Sequence, residues 1–275
     1  MHIVSPSRGL LFPRYVREPY LSEFKQLVRQ GAGTQTIDGA PAVPRSPAAA
    51  EARLAREVDR VASHLRGVVP MLEAHVGRAP AILDVGCRTG GSTVALALSS
   101  KLAPERVVGV DPYDVALQAA AVRARMHDVA DRVTFEASRA GAPLPFEDEQ
   151  FDLVTSVSVL EYVHRLDDRR QLVGEMKRVT KRGGHVFIAT PSPFRLRDRH
   201  SGRLLGDIRR GAHPWASTPR QLESMLEGFE ITWERAWQLG YGLRKLGLPI
   251  GEVPDRLGFL GLALPWQKVL ARKPL

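Results

Sequence analysis

From residue 80 onward the chain alternates short apolar runs with helical stretches, and this limits its fold more than any other feature. The runs lie at Ala81–Val85, Val107–Val110, Val133–Phe135, Phe151–Ser156 and Val186–Thr190. Helical periodicity at 91–100, 114–126 and 168–180 separates most of them. Such alternation predicts an α/β fold, a parallel sheet with helices on both faces. Ser217-Thr218-Pro219 then reads as a helix start with Pro near the first turn, running to Glu227. Strands are expected at Phe229–Trp237 and Lys268–Arg272. Ahead of the alternation, Leu21, Phe24, Leu27 and Val28 predict a helix over Pro19–Gln30. Residues 31–47, rich in Gly, Pro and Thr, read as a flexible loop. Leu54, Val58, Val61 and Leu65 share one face of a helix expected from Pro47 to about Leu65.

Composition removes several classes. The chain has 275 residues, 44% apolar and 25% charged, the balance of a globular protein with room for a core. No uncharged stretch exceeds 12 residues, and a membrane span needs about 20 apolar ones, so no crossing helix is expected. The first residues lack the apolar centre of a secretory signal. A single cysteine, Cys87, excludes an internal disulfide and suits a reducing cytoplasm. The net charge of +9 is unevenly spread. Residues 51–190 carry 19 basic and 19 acidic side chains, whereas 191–275 carry 14 against 8 and 1–50 carry 6 against 3. An Arg-rich coding bias explains this as well as an anionic partner for the flanks does.

Chemistry concentrates at Ile82-Leu83-Asp84-Val85-Gly86-Cys87-Arg88-Thr89-Gly90-Gly91. A buried strand ends there in a glycine turn, and a helix begins just beyond it. Backbone in such a turn can approach a ligand closely while helix N–H groups face the same space. A phosphate loop would need Gly-Lys-Ser/Thr, which is missing. A dinucleotide fingerprint would need Gly two residues after Gly86, where Arg88 stands. The next strand ends at Asp111, a carboxylate placed to accept hydrogen bonds from both ribose hydroxyls of a nucleoside. Capping of the helix at 114–126 is the competing role for it.

Four segments in order, LDVGCRTGG, VVGVDPYDVALQAA, LPFEDEQFDLVTSVSVLEYV and EMKRVTKRGGHVFIATPSP, resemble the class I S-adenosylmethionine-dependent methyltransferases. The likeness is strongest to the branch acting on small molecules such as quinone precursors, sugars and lipids, and it covers about residues 80–192. It implies a Rossmann-like seven-stranded sheet of order 3-2-1-4-5-7-6 with the last strand antiparallel, under an N-terminal helical cap. The implied division is a lid segment and loop at 1–47 and a methyltransferase domain at 48–275, with acceptor-cap insertions at 193–216 and 239–266. S-adenosylmethionine is the implied cofactor and S-adenosylhomocysteine its product. Asp84, Gly86, Cys87 and Gly90 match the loop holding the methionine part; Asp111 matches the ribose acid, with Pro112 beside the adenine. Ser138 or Arg139 stands where the family often has an adenine-binding Asp, so that contact falls to Ser138 or to backbone. Ser156 and Val157 fall where the family lines the methyl-transfer site.

Arg88 departs from the family's usual glycine. It could pair with the cofactor carboxylate, point to solvent, or obstruct the pocket. Tyr162 stands where relatives often carry His. A hydroxyl or ammonium acceptor must lose a proton, for which His is the usual base. His200 is the first choice, His213 the second, and His164 lies just past the fourth strand. Six arginines between Phe194 and His213 would suit an acceptor bearing phosphate or carboxylate. The apolar segment 241–266 could cover the pocket, pair two copies or touch a lipid surface. No metal-binding cluster stands out, and nucleic acid is disfavoured because the arginines lack interleaved aromatics. The expected activity is methyl transfer to O or N of a small, anionic or lipid-linked metabolite. A non-catalytic nucleotide-binding scaffold and a nicotinamide-dependent oxidoreductase are the rivals.

Overall fold

The computed structural model describes residues 18–31, 46–139, 141–193, 216–234 and 266–275. It adds the backbone of two short ladders, His2–Ile3 with Tyr15–Val16 and Thr36–Ile37 with Ala40–Pro41. The chain forms two compact units, Met1–Ala140 and Gly141–Leu275.

The first unit is built on three parallel strands, β1 (Ala81–Val85), β2 (Arg106–Asp111) and β3 (Val133–Ala137). Val85 pairs with Val110, and Asp111 with Ala137, so the strand tips carrying the glycine turn and the acid are level. Apolar runs without alternation fit β1 and β2, whose residues are buried after the first. Among the described residues this unit holds the helices α1 (Tyr20–Arg29), α2 (Pro47–Val58), α3 (Arg60–Gly67), α4 (Val69–His75), α5 (Gly91–Ala97) and α6 (Asp114–Met126). Ser46 caps α2 by accepting from the Ala49 N–H, with Pro47 at its first turn. Leu21, Phe24 and Val28 of α1 join Leu54 of α2 and Ala119, Val122 and Met126 of α6 in one apolar cluster.

The single helix expected over 47–65 is two helices meeting at Asp59. Next to the junction the Glu57 carbonyl accepts the Arg123 guanidinium at 2.9 Å, and the Asp59 N–H and carbonyl still bond to Ala55 and Ser63.

The second unit holds β4 (Phe151–Val157) and β5 (Thr180–Pro191) in parallel. β7 (Trp266–Arg272) runs antiparallel to β5, and β6 (Glu230–Trp233) antiparallel to β7. α7 (Leu166–Val179) and α8 (Pro219–Met225) accompany them. Thr218 caps α8 with a full capping box, Gln221 reaching back to the Thr218 N–H. β5 is longer than its apolar run because it starts directly at the end of α7, and its register against β4 shifts between Phe151 and Leu153. Taken along the sheet the strand order is 3-2-1-4-5-7-6, the order expected, and the terminal strand is antiparallel. Of the two expected acceptor-cap insertions, 194–215 and 239–265 lie outside the described residues. Among the described residues no helix is long and apolar enough to cross a membrane.

Candidate active site

The glycine turn between β1 and α5 takes positive φ at alternate residues: Gly86 at 75°, Arg88 at 50° and Gly90 at 74°. Glycine adopts this region freely, and Arg88 does so against the preference of an L side chain. Backbone bonds hold the turn from below. The Gly86 and Cys87 N–H groups both donate to the Val110 carbonyl, at 2.8 and 3.0 Å, and the Gly90 N–H donates to Cys87 at 2.9 Å. Gly90 cannot carry a side chain for a second reason: a Cβ there would lie 2.9 Å from the Ala120 Cβ and 3.1 Å from the Phe135 ring.

Asp84 is buried, and one carboxylate oxygen accepts from the Ser92 and Thr93 hydroxyls at 2.6 and 2.7 Å. It ties β1 to the first turn of α5, where a negative charge also meets the positive end of the helix dipole. Cys87 is buried as well, and burial pushes its thiol well above the ordinary value, so it stays neutral. Its sulfur lies 2.9 Å from where a Cβ on Gly109 would sit, which gives it a packing role.

Asp111, at the tip of β2, is almost wholly inaccessible. Its two oxygens accept from different backbone groups, Oδ2 from the Arg88 N–H at 3.0 Å and Oδ1 from the Tyr113 N–H at 3.1 Å. Burial raises its carboxyl above the usual carboxylate value, while the Arg88 charge and the two N–H donors oppose the rise. Each oxygen keeps a further lone pair, because a carboxylate offers about four acceptor sites. These free acceptor sites fit the two donating hydroxyls of a nucleoside diol. The Arg88 guanidinium lies 5.7 Å from the centre of the Tyr113 ring. Pro112 is exposed beside it, and the Ser138 N–H donates to the Asp111 carbonyl at 3.1 Å. The structure thus brings Gly86, Cys87, Arg88, Asp111, Pro112 and Ser138 together.

Three residues not anticipated stand behind the turn. Arg123 of α6, fully buried, donates from Nε to the Thr89 carbonyl at 2.6 Å and from Nη2 to the Thr89 hydroxyl at 3.1 Å. The Thr89 hydroxyl donates to Glu57 of α2 at 2.8 Å, and Arg60 of α3 pairs with the same carboxylate at 2.6 Å. Burial alone would raise the Glu57 carboxyl. The charges of Arg60 and Arg123 and the hydrogen bonds from Arg60 and Thr89 outweigh it and hold the group below its ordinary value. Burial brings Arg123 down to about 9, against the pull of Glu57, so it remains a cation at neutral pH. A signal for this network was present: Arg123 falls on the buried stripe of Ala116, Ala119, Ala120 and Met126, and Glu57 on that of Leu54 and Val61. Opposite charges on two core stripes require a partner.

In the second unit Ser156, near the end of β4, is buried and its hydroxyl makes no hydrogen bond. Val157 follows at partial exposure. Tyr162 closes the single-turn helix Leu160–Tyr162 and is half-buried, and His164 beyond it is exposed. His200, His213 and the arginines between Phe194 and His213 lie outside the described residues. Among those described, no group of three or more His, Cys, Asp or Glu is placed to hold a metal ion.

Comparison with known proteins agrees with this geometry. Residues 83–188 match the model of the methyltransferase domain. Over 212 residues the chain is 27% identical to 27-O-demethylrifamycin SV methyltransferase of Amycolatopsis mediterranei, spanning 72% of this chain and 74% of that one. It is 36% identical over 124 residues to demethylmenaquinone methyltransferase of Lactiplantibacillus plantarum, covering 45% of this chain and half of the relative. Its fold is similar to that of a SAM-dependent methyltransferase from Aquifex aeolicus, with a TM-score of 0.52 at 14% identity over 79% of this chain and 95% of that one. Residues 83–188 carry a methyltransferase domain, and these likenesses support the class I S-adenosylmethionine-dependent kind, whose cofactor is S-adenosylmethionine.

Proposed function

We propose that the protein methylates an oxygen or nitrogen of a small-molecule acceptor, one bearing a phosphate or carboxylate or linked to a lipid. The observation that carries the cofactor assignment is Asp111: a buried carboxylate, held in place by two backbone N–H groups, at the tip of the second strand beside a glycine turn. In this reading Asp111 takes the ribose hydroxyls, and Pro112 and Ser138 border the adenine. Gly86, Cys87 and Gly90 form the backbone cradle for the methionine part, with Asp84 fixing the helix behind it. Ser156 and Val157 would line the reacting end.

The bound cofactor supplies an activated methyl group on a sulfonium sulfur. What the chain contributes is placement of the acceptor in line and exclusion of water. A hydroxyl acceptor must also give up a proton, and His200, then His213, then His164 are the candidate bases, with Tyr162 beside the last. Oxygen is preferred over nitrogen because the rifamycin relative, similar over most of its length, is named for an O-methylation. The arginines at 195, 197, 199, 203, 209 and 210 support an anionic acceptor, and the single buried cysteine suits a reducing cytoplasm. The segment 241–266 would cover the pocket, with pairing of two copies or contact with a lipid surface as its other uses.

Calorimetry with S-adenosylhomocysteine, S-adenosylmethionine and NADH tests the cofactor assignment. The first two are expected to bind and NADH not to. Asp111→Ala is expected to weaken binding by at least about tenfold, the loss of hydrogen bonds to a charged group. Binding of NADH alone would move the chain to the oxidoreductases. Binding of neither would leave a scaffold. Screening acceptors with labelled cofactor then identifies the substrate, and full turnover by His200→Ala would remove that residue as base.

A further inference from the structure

A fully buried guanidinium has to recover a large desolvation cost from its partners, and Arg123 finds nearly all of them in two places. One is Thr89, the residue between Arg88 and Gly90 in the glycine turn. It receives Nε on its carbonyl at 2.6 Å and Nη2 on its hydroxyl at 3.1 Å. The other is Glu57 at the end of α2. Its carbonyl receives Nη1 at 2.9 Å and its carboxylate stands 3.6 Å from Nη2. Thr89 closes the loop of contacts by donating its hydroxyl to Glu57 at 2.8 Å. The remaining face of the guanidinium lies on the Phe24 ring of α1, 4.3 Å from its centre. A planar fork with five donors can serve these acceptors at once; an ammonium cannot.

We infer that Arg123 is a positioning residue for cofactor binding, setting the glycine turn through Thr89 with Glu57 as its anchor. The helices ahead of the sheet thereby become part of the cofactor site without touching the ligand. The physical reason is the geometry of the turn. Arg88 and Gly90, on either side of Thr89, both hold positive φ, so a turn left to itself has an unstrained alternative at Arg88. Pinning the Thr89 carbonyl and hydroxyl removes that freedom. The Arg88 N–H then stays on Asp111, and Asp111 stays oriented. This inference rests on reading the turn as the S-adenosylmethionine cradle.

The test measures S-adenosylhomocysteine affinity and melting midpoint together, for Thr89→Val, Thr89→Ser, Arg123→Lys and Leu102→Ala. Thr89→Val keeps the shape and removes the hydroxyl; it is expected to raise Kd roughly tenfold or more, the usual penalty of a misplaced cradle. Thr89→Ser restores the hydroxyl and is expected to return Kd to within about twofold of the parent. Arg123→Lys is expected to follow Thr89→Val. Leu102→Ala opens a cavity at the far ends of the strands, where the buried Leu102 takes the Ala79 N–H on its carbonyl; it should lower the melting midpoint and leave Kd unchanged, separating positioning from mere stability. If Arg123→Lys fails to fold, the Thr89 pair decides. Parent-like Kd in Thr89→Val, or equal losses in Thr89→Val and Thr89→Ser, overturns the inference alone. Failure of the parent protein to bind S-adenosylhomocysteine overturns the cradle reading and this inference with it.

Discussion

Arg88 occupies a backbone position built for glycine. The left-handed region costs an L residue about 1–2 kcal/mol. In return its N–H holds Asp111, and its guanidinium lies toward the Tyr113 ring. Tyr113 directly follows the Asp111-Pro112 pair, so the charge sits toward the nucleoside side of the turn. That placement speaks against a clasp on the cofactor carboxylate, one of the roles open to Arg88 from sequence. Arg88→Gly is therefore expected to keep S-adenosylhomocysteine affinity within about threefold and to raise stability by up to about 1 kcal/mol. Calorimetry and thermal melts check both; a large loss of affinity would return Arg88 to the binding set. Removing its charge should also push the Asp111 carboxyl further up, since Arg88 is the main force opposing burial there. A carboxyl raised in the folded state costs stability progressively as pH climbs above its unfolded value of about 3.9, in full above the folded one, and Arg88 limits that cost.

Among the elements, β2 shows how tightly the site is framed. Gly109 lies two residues before Asp111, and a Cβ on it would come within 2.8 Å of the Phe135 ring and 2.9 Å of the Cys87 sulfur. Two strands and the glycine turn therefore meet around one missing side chain. Gly109→Ala is expected to destabilise the protein by about 1–3 kcal/mol through overpacking. It should also weaken cofactor binding, because the displaced neighbours are Cys87 in the turn and Phe135 on β3. Chemical denaturation beside calorimetry reads both effects, and an unchanged midpoint would show that Phe135 and Cys87 yield freely. Most elements were legible in the chain itself. α6 runs over the expected 114–126, and Ser217-Thr218-Pro219 announced the cap and first turn of α8. β5 was not fully legible, since the polar stretch Lys181-Arg182-Gly183-Gly184 lies in the register shift between the pairs Phe151–Thr180 and Leu153–His185. The break at Asp59 was not legible either, because the apolar periodicity of Leu54, Val58, Val61 and Leu65 runs through it.

For the whole molecule, acid is the informative variable. The chain starts from +9, and every carboxylate protonated adds to its self-repulsion. Glu175, held down chiefly by its hydrogen bond from Arg178, and Glu57 both sit below their ordinary values. A depressed carboxylate gives stability above its unfolded value of about 4.3 and loses it as pH falls through the folded one. The melting midpoint is thus expected to fall steadily below about pH 4.5. Added salt should recover the part due to general repulsion and leave the paired part lost. Scanning calorimetry of the parent and Glu57→Gln separates them, the variant showing the shallower fall; identical slopes would mean that Glu57 contributes nothing.

The strands themselves, the glycine turn and the acid at Asp111 follow from the chain alone, because each rests on local periodicity or on residues a few positions apart, whereas the order of the strands is what the family resemblance implies. The buried network does not. Arg123 and Glu57 are 66 residues apart and Thr89 lies 34 from Arg123. Their polar character on apolar stripes signals that partners must exist. Which partners they are depends on how α2 and α6 pack against the turn, and only the tertiary structure decides that.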